Sequence, residues 1–293
     1  MSTKDTGKTY ARSATGDALG TVKEHPMSPP QDIVLFGACF CPFVQRAWVA
    51  LEALGIPYNL DIYQSPKPQE LLEVSPKGLV PALKLQQYQP ARALNESTVI
   101  MEYLEDLAAT TTQKSLMPPK SNPYARALVR LMSDAVNRAL VPSFYKYLQA
   151  QDPEAQVQDG TEFHEAIAQL VALLQRAETE IVGGDGSAGP GEAQALGAGL
   201  GLWIDTNDAL GWVDILAGPW LYRATNVLTH YRGLELPASP RFHAYLNRLF
   251  SHTDFKKTCS TEGLYLDSYE RYAFNRPNTS QVADAINAGR TLP

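Results

Sequence analysis

Residues 33–55 read IVLFGACFCPFVQRAWVALEALG, and this stretch decides the fold because its hydrophobic period changes part-way along. The apolar run Ile33 to Phe36 predicts a buried strand, and the glycine after it predicts a turn. From Pro42 to Leu54 apolar residues recur at helical spacing, and Gly55 ends the helix because glycine readily adopts the left-handed conformation. The stretch therefore predicts a strand, a turn and a helix, with Cys41 at the junction.

The segments that follow continue this alternation of strands and helices. Helical spacing resumes at Ser97, a hydroxyl residue that suits a helix start. The pattern predicts a second strand at Tyr58 to Tyr63, a short helix at Pro68 to Val74, a third strand at Val80 to Leu85 and a brief fourth strand at Ala91 to Asn95. This order is typical of a thioredoxin-like α/β domain, which we place at residues 32–109.

Composition divides the rest of the chain. Residues 110–123, which include TTTQKS and MPPKSNP, predict a linker, and only helical patterns follow it, so we expect an all-helical domain at 124–293. The predicted helices are Tyr124 to Gln149, Glu162 to Val182, Val213 to Tyr231 and Pro240 to Phe250. The glycine-rich insert at 183–201 predicts a mobile surface loop, and the polar residues 1–31 predict a disordered or loosely attached arm.

Length and charge exclude several classes of function. A chain of 293 residues with 44% hydrophobic content suits two packed domains, and 25 Lys and Arg against 31 Asp and Glu give a formal charge of -6. No basic run suits a phosphate backbone, so we predict no nucleic-acid partner. Three cysteines do not form a secreted disulfide framework, and no apolar segment suits a signal peptide or a membrane span. We therefore expect a cytoplasmic protein without a membrane partner or a metal.

Cys41 is the candidate nucleophile. Pro42 suits the first helical position, which places the thiol where unpaired backbone N–H groups favour an anion. Such a position can lower a thiol pKa to between roughly 3.5 and 7.5. Val44 stands where a dithiol motif would have its second cysteine, so an external thiol, glutathione, is expected to resolve a mixed disulfide. Resolution by Cys39 would strain the disulfide, and a buried structural role for Cys41 is the alternative.

Three segments together carry a family resemblance: FCPFVQRAWVALEALGIPY from Phe40, SPKGLVPAL from Ser75 and ALNESTVIMEYLED from Ala93. They resemble the N-terminal domain of glutathione transferases, most closely the omega class and the fungal omega-like enzymes with an active-site cysteine before proline. More loosely, the resemblance extends to Pro293 apart from the glycine-rich insert. It implies the glutathione transferase fold, glutathione as cosubstrate and a homodimer.

The resemblance also implies which residues bind glutathione. Pro81 is expected to follow a cis bond that turns the Val80 backbone toward the cysteinyl part of glutathione. Ser97 is expected to receive the γ-glutamyl carboxylate and Glu96 the ammonium, while Lys67 meets the glycyl end. The full implied set is Cys41 as catalytic residue with Phe43, Lys67, Leu79, Val80, Pro81, Glu96 and Ser97.

The helical half contributes fewer expectations. Asp214 in LGWVDILAGPW corresponds to a buried helix-capping aspartate of the family, although Gly211 replaces the usual hydroxyl residue of that capping box. Cys259 is expected to be a packed thiol. The electrophile is expected between the domains, and the candidate lining residues are Tyr124, Tyr145, Trp220, Tyr222 and Arg223.

These residues predict a glutathione-dependent thiol transferase or reductase that works through a glutathionyl-Cys41 mixed disulfide. Removal of glutathione from disulfides, dehydroascorbate reduction and reduction of phenacyl-glutathione adducts all fit this scheme. Ordinary conjugation is disfavoured because it usually relies on a hydroxyl residue in this turn. Two non-enzymatic alternatives remain: a carrier of apolar small molecules, and a regulator on the same fold.

Overall fold

A four-stranded mixed sheet organises the first half of the chain. The computed structural model describes residues 8–62, 67–183, 197 and 199–293. The strands are β1 (Ile33–Gly37), β2 (Asn59–Ile62), β3 (Ala82–Leu85) and β4 (Arg92–Asn95), in the spatial order β2-β1-β3-β4. β1 pairs in parallel with β2 and antiparallel with β3, and β3 pairs antiparallel with β4.

Three helices complete this part of the molecule. β1 is buried throughout because its apolar run packs on both faces of the sheet. The helices are α2 (Pro42–Leu54), α3 (Gln69–Val74) and α4 (Ser97–Thr110). α2 ends at Gly55 with φ 67°, as the sequence predicts. The strand-helix-strand order confirms the thioredoxin-like fold, although β3 begins two residues later than expected.

The second half is helical over its described residues. Short π-helical turns at 136–140, 178–182 and 224–228 continue the neighbouring helices. The helices are α5 (Pro123–Ala135), α6 (Val141–Gln149), α7 (Pro153–Ala177), α8 (Trp212–Arg223), α9 (Thr229–Arg232), α10 (Pro240–Ser251), α11 (Thr253–Lys256), α12 (Glu262–Ala273) and α13 (Gln281–Asn287), with a 3-10 turn at Gly201–Trp203. α11, α12 and α13 were not among the predicted helices.

One hydrophobic core extends across both halves. α2 packs against α4 on one side and against α8 on the other. Arg46, in the middle of α2, is buried, and its Nε donates a hydrogen bond of 2.8 Å to the Leu216 carbonyl of α8. Phe43 meets Trp220 of α8 with ring centroids 4.8 Å apart. The helix that carries the candidate nucleophile is therefore fixed by the helical half.

The expectation of a disordered arm is wrong for its described residues. Residues Gly16–Glu24 form α1, and Ala18 and Thr21 are buried. The Ala18 backbone N–H donates to the Cys259 carbonyl at 3.0 Å, and the Thr21 hydroxyl donates to the Lys257 carbonyl at 2.8 Å. These partners lie more than 230 residues away in sequence, so composition alone does not reveal them.

Most of the glycine-rich insert, residues 184–196 and 198, lies outside the described residues, and so does the predicted strand end at Tyr63. The last residues of the insert are buried beside Asp214. Asp214 Oδ2 accepts hydrogen bonds from the backbone N–H groups of Leu202 and Gly211, each at 2.8 Å, and Oδ1 accepts from the Tyr245 hydroxyl at 2.9 Å. Glycine has no side-chain oxygen, so only the aspartate half of the capping box forms.

Candidate functional site

Cys41 is the N-cap residue of α2, directly before Pro42 at the first helical position. Its backbone is extended, with φ -76° and ψ 122°, and its N–H donates to the Ala38 carbonyl at 3.0 Å. Its carbonyl accepts the first α2 hydrogen bond, from the Gln45 N–H at 3.1 Å. The Sγ lies 3.9 Å from the Val80 carbonyl oxygen. The thiol thus stands at the helix N-terminus, next to the segment that leads into β3.

The electrostatic expectation for Cys41 is wrong in its direction. Burial raises the pKa of the Cys41 thiol above its ordinary value. The backbone N–H groups of Val44 and Phe43 and the charges of Arg223 and Arg46 favour the thiolate, but burial outweighs them. At neutral pH the Cys41 side chain is therefore mainly a thiol.

The other two cysteines are less suited to attack. Burial raises the pKa of Cys39 to about 11 and that of Cys259 to about 12. Cys259 packs against α2, where its sulfur accepts from Gln45 Nε2 at 3.3 Å. Cys41 is half-buried, whereas both others are buried. Exposure therefore favours Cys41 as the reactive thiol.

A cleft of about 600 Å³ opens over Cys41. Five of the eight predicted catalytic and glutathione-binding residues line it: Cys41, Phe43, Lys67, Leu79 and Val80. The Val80–Pro81 peptide bond is cis, as the resemblance implies. Lys67 lies across Gly78, where an added Cβ would meet its Nζ at 2.6 Å. The cleft therefore brings a thiol, a short backbone segment and a cation together.

Pro81, Glu96 and Ser97 are not among the described residues that line this cleft, but the sheet places them beside it. Ala82 of β3 pairs with Asn95 of β4. Pro81, directly before Ala82, and Glu96, directly after Asn95, therefore lie at the same end of this strand pair. Glu96 has a positive φ of 69°, which a residue other than glycine adopts at some cost. Ser97 begins α4 and is buried.

A buried cation that the sequence did not single out lies beneath Ser97. Arg46 Nη1 donates to Ser97 Oγ at 3.3 Å, and Arg46 Nη2 has no hydrogen-bond partner among the described residues. The Arg46 guanidinium stacks on Trp220 at 4.2 Å from the ring centroid. Burial lowers the pKa of Arg46 to about 9, so it is charged at neutral pH. The N-terminus of α4 and Arg46 thus form a site that suits a carboxylate.

Of the five predicted electrophile-pocket residues, Tyr145 lines the cleft and the other four lie elsewhere. Tyr124 is exposed, and its hydroxyl bonds Glu180 at 2.5 Å. Trp220 is buried beneath Phe43, and Tyr222 packs against Phe250. Tyr222 and its sequence neighbour Arg223 both contact Tyr265, and Tyr222 is not among the described residues that line the cleft.

Arg223 does not line the cleft but contacts the turn that carries Cys41. It is fully buried, and its Nη2 donates to the Phe40 carbonyl at 2.9 Å. Its Nη1 donates to Gln45 Oε1 at 2.7 Å. The prediction of a pocket-lining role is therefore wrong for Arg223, because helical spacing does not reveal which face of α8 meets α2.

Sequence reasoning missed much of the cleft. The missed lining residues come from both chain ends: Lys8, Thr9, Tyr10, Ala11 and Arg12 near the N-terminus, and Arg271, Tyr272, Asn278, Thr279, Ser280, Gln281 and Val282 near the C-terminus. Tyr10 is fixed there by a 2.6 Å hydrogen bond from its hydroxyl to Glu270. No local pattern marks these segments, since only tertiary packing brings them to Cys41.

Comparison with known proteins agrees with this geometry. Residues 40–107 match the family model for the glutathione S-transferase N-terminal domain. The crystal structure of glutathione transferase Omega 3C from Trametes versicolor is 32% identical, with a TM-score of 0.68, and the match covers 90% of this chain and 98% of that one. This chain belongs to the omega class of glutathione transferases.

Curated relatives extend the comparison. Pyrimidodiazepine synthase of Drosophila melanogaster is 33% identical over 53% of this glutathione transferase, which spans only 60% of that relative's length. Glutathione S-transferase DHAR2 of Arabidopsis thaliana is 26% identical over 78% of this chain and 89% of its own. The omega-class protein is accordingly a glutathione-dependent transferase or reductase, and its family uses glutathione as cosubstrate.

No group of three or more His, Cys, Asp or Glu side chains within the described ranges is arranged to hold a metal ion. In the same part of the chain, no helix is both long and apolar enough to cross a membrane.

Proposed function

We propose that this glutathione transferase transfers thiols through a mixed disulfide between Cys41 and glutathione. The observation that carries the proposal is the position of the Cys41 sulfur, at the N-terminus of α2 and 3.9 Å from the Val80 carbonyl, within an accessible cleft. A disulfide exchange needs an accessible nucleophilic sulfur and room for an extended peptide beside it.

The chain offers groups for each part of glutathione. The Val80 backbone precedes the first paired residue of β3 and suits strand-like pairing with the cysteinyl part. Ser97, with Arg46 behind it, suits the γ-glutamyl carboxylate, and Glu96 suits the ammonium. Lys67 suits the glycyl carboxylate at the other end. Phe43 and Leu79 line the cleft between these polar ends, and Pro81 forms the cis peptide bond that follows Val80.

The reaction has two balanced steps. The Cys41 thiolate attacks the glutathionyl sulfur of a mixed disulfide, and the other sulfur leaves as a thiolate that takes up a proton. A second glutathione then attacks the Cys41–glutathione disulfide, which releases oxidised glutathione and restores the Cys41 thiolate. With a phenacyl-type adduct, Cys41 attacks the glutathionyl sulfur and the carbon leaves as an enolate that takes up a proton. With dehydroascorbate, Cys41 adds to a carbonyl carbon, and a glutathione thiolate then attacks the Cys41 sulfur, which releases ascorbate and forms the same mixed disulfide.

Intact-protein mass spectrometry after incubation with oxidised glutathione tests this proposal. We expect the native protein and the Cys39→Ser control to gain one glutathionyl group and to turn over a glutathione mixed disulfide. Cys41→Ser should do neither. Equal labelling and turnover of Cys41→Ser and the native protein would reject Cys41 as the nucleophile.

Carriage of apolar small molecules is a second candidate function. It is favoured by aromatic side chains of the cleft, namely Phe40, Tyr145 and Tyr272. Equilibrium binding of a fluorescent apolar probe, in competition with glutathione, distinguishes the candidates. A pure carrier would keep its probe affinity in Cys41→Ser and show no turnover in the native protein.

We also propose that the protein forms a homodimer, as the family resemblance implies. Light scattering coupled to size-exclusion chromatography measures the mass directly, and a value near 32.2 kDa at micromolar concentration would reject the dimer. A cytoplasmic location remains a prediction, which imaging of the tagged full chain tests.

A further inference from the structure

The cleft over Cys41 has one sign of charge. Among the described residues that line it, the charged side chains are all basic: Lys8, Arg12, Lys67 and Arg271. The whole chain has the reverse balance, with 25 basic and 31 acidic residues. A concave site lined by cations in an acidic protein raises the local concentration of anions.

Three of these four cations have an assigned partner. Lys8 forms an ion pair with Asp267 at 2.9 Å, and Arg12 also interacts within the protein. Lys67 is the residue proposed above for the glycyl carboxylate of glutathione. Arg271 remains as a cleft cation that forms no ion pair within the described residues and is not assigned to glutathione.

A backbone carbonyl and aromatic rings hold Arg271 in place, and the carboxylate whose charge acts on it is Asp267, one turn back along α12. Its Nε donates to the Ser268 carbonyl at 3.1 Å, one turn back along α12. Its guanidinium lies 4.6 Å from the Phe40 ring centroid and 5.0 Å from that of Tyr10. Within the described residues, the two terminal nitrogens of Arg271 make no hydrogen bond, and its guanidinium forms no ion pair. The aromatic contacts therefore fix the charge and leave its outer hydrogen-bond donors available.

The position of Arg271 separates it from the glutathione-binding groups. Arg271 belongs to the helical half, whereas Lys67 and Val80 belong to the sheet half. Phe40, on which Arg271 stacks, directly precedes Cys41. A molecule in contact with Arg271 would therefore approach Cys41 from the side of the helical half, where we expect the second substrate.

We propose that Arg271 binds a carboxylate of the second substrate, so the enzyme prefers glutathione adducts of small organic acids. The proposal rests on the thiol-transfer function proposed above. For a mixed disulfide, Cys41 takes the glutathionyl group and the departing thiol carries the carboxylate held by Arg271. A planar guanidinium suits this anion because it can donate two parallel hydrogen bonds.

Three mixed disulfides of glutathione provide the test, because they differ mainly in charge: those with 3-mercaptopropionate, 2-mercaptoethanol and cysteamine. We expect kcat/KM of the native enzyme to fall from the anionic through the neutral to the cationic compound. The anionic-to-neutral ratio should fall about 10-fold in Arg271→Met and recover in part in Arg271→Lys. Arg138→Met, on an exposed part of another surface, is the matched control and should keep the native ratio.

Salt dependence of the native enzyme gives a measurement that needs no variant. Added salt should raise KM for the anionic compound more than for the neutral one, because screening weakens an exposed charge pair. An unchanged charge ratio in Arg271→Met would overturn the proposal. An equal rise in the KM for glutathione with all three compounds would also overturn the proposal. Arg271 would then bind a carboxylate of the second glutathione and not one of the departing thiol. Turnover that persists in Cys41→Ser would instead reject the underlying function.

Discussion

Arg223 Nη2 donates a hydrogen bond of 2.9 Å to the carbonyl oxygen of Phe40, the residue directly before Cys41. Arg223 ends α8 in the helical half, and Phe40 lies in the turn after β1. The same guanidinium bonds Gln45 on the first turns of α2. A buried cation of one half therefore holds the turn that presents the nucleophile of the other half.

Replacement of Arg223 by Met should weaken both the fold and the site. The variant loses the hydrogen bonds to the Gln45, Pro219 and Phe40 oxygens, of which Phe40 keeps a 3.4 Å bond from the Tyr269 hydroxyl. We expect the free energy of unfolding in urea to fall by about 2–4 kcal/mol. The charge of Arg223 also favours the Cys41 thiolate, so alkylation of Cys41 at pH 8 should slow. Arg138→Met, an exposed control, should change stability by less than about 0.5 kcal/mol. Equal behaviour of both variants would contradict the positioning role.

The reactivity of Cys41 should keep rising with pH beyond the range of an ordinary thiol. Burial raises its pKa, so the thiolate fraction in the ligand-free protein is still increasing above about pH 8.5. The measurement is the rate of iodoacetamide modification from pH 6 to 10, read by mass, with Cys41→Ser subtracting the slower cysteines. A plateau already reached at pH 7 would show that the helix N-terminus outweighs burial.

His25 and Glu52 should make stability depend on pH. His25 Nε2 lies 3.0 Å from Glu52 Oε1, and the hydrogen bond to Glu52 raises the pKa of His25 despite its partial burial. A raised folded-state pKa stabilises the protein fully below about pH 6.5, and this stabilisation is lost as pH rises through the folded pKa. For Glu52, burial raises the pKa, but hydrogen bonds from His25 and Tyr58 lower it overall. The Glu52 contribution is therefore lost as pH falls below about 4.5.

Thermal unfolding of His25→Gln beside the native protein checks this linkage. The melting temperature should differ most between about pH 5 and 6.5 and least near pH 8.5. A difference in melting temperature that grows toward high pH would contradict stabilisation by the His25–Glu52 pair.

Gly201 should tolerate no side chain. It has φ 67°, and an added Cβ would collide with Asp214 Oδ2, the acceptor that caps α8. Gly233 has nearly the same φ of 66° but nothing within 4 Å of an added Cβ, so Gly233→Ala isolates the backbone cost of about 1 kcal/mol. Gly201→Ala should cost at least about 2 kcal/mol more in urea unfolding. Equal costs would mean that the Asp214 cap can move without penalty.

The sequence by itself determined the sheet half and its nucleophile. The period change around Cys41 is a local signal, and proline and glycine mark the two ends of α2 through their own backbone preferences. The cis bond before Pro81 and the start of α4 at Ser97 followed from motifs in family order. Local conformation is encoded locally, so these features could be predicted.

Only the tertiary structure decided the walls of the cleft and the protonation of its thiol. Tyr10 and Arg271 meet beside Phe40 although 260 residues separate them, and helical spacing could not show that Tyr145 faces the cleft while Tyr124 does not. The direction of the Cys41 pKa followed the same rule. A helix N-terminus can be recognised in the sequence, whereas the burial that outweighs it depends on every segment packed around the sulfur.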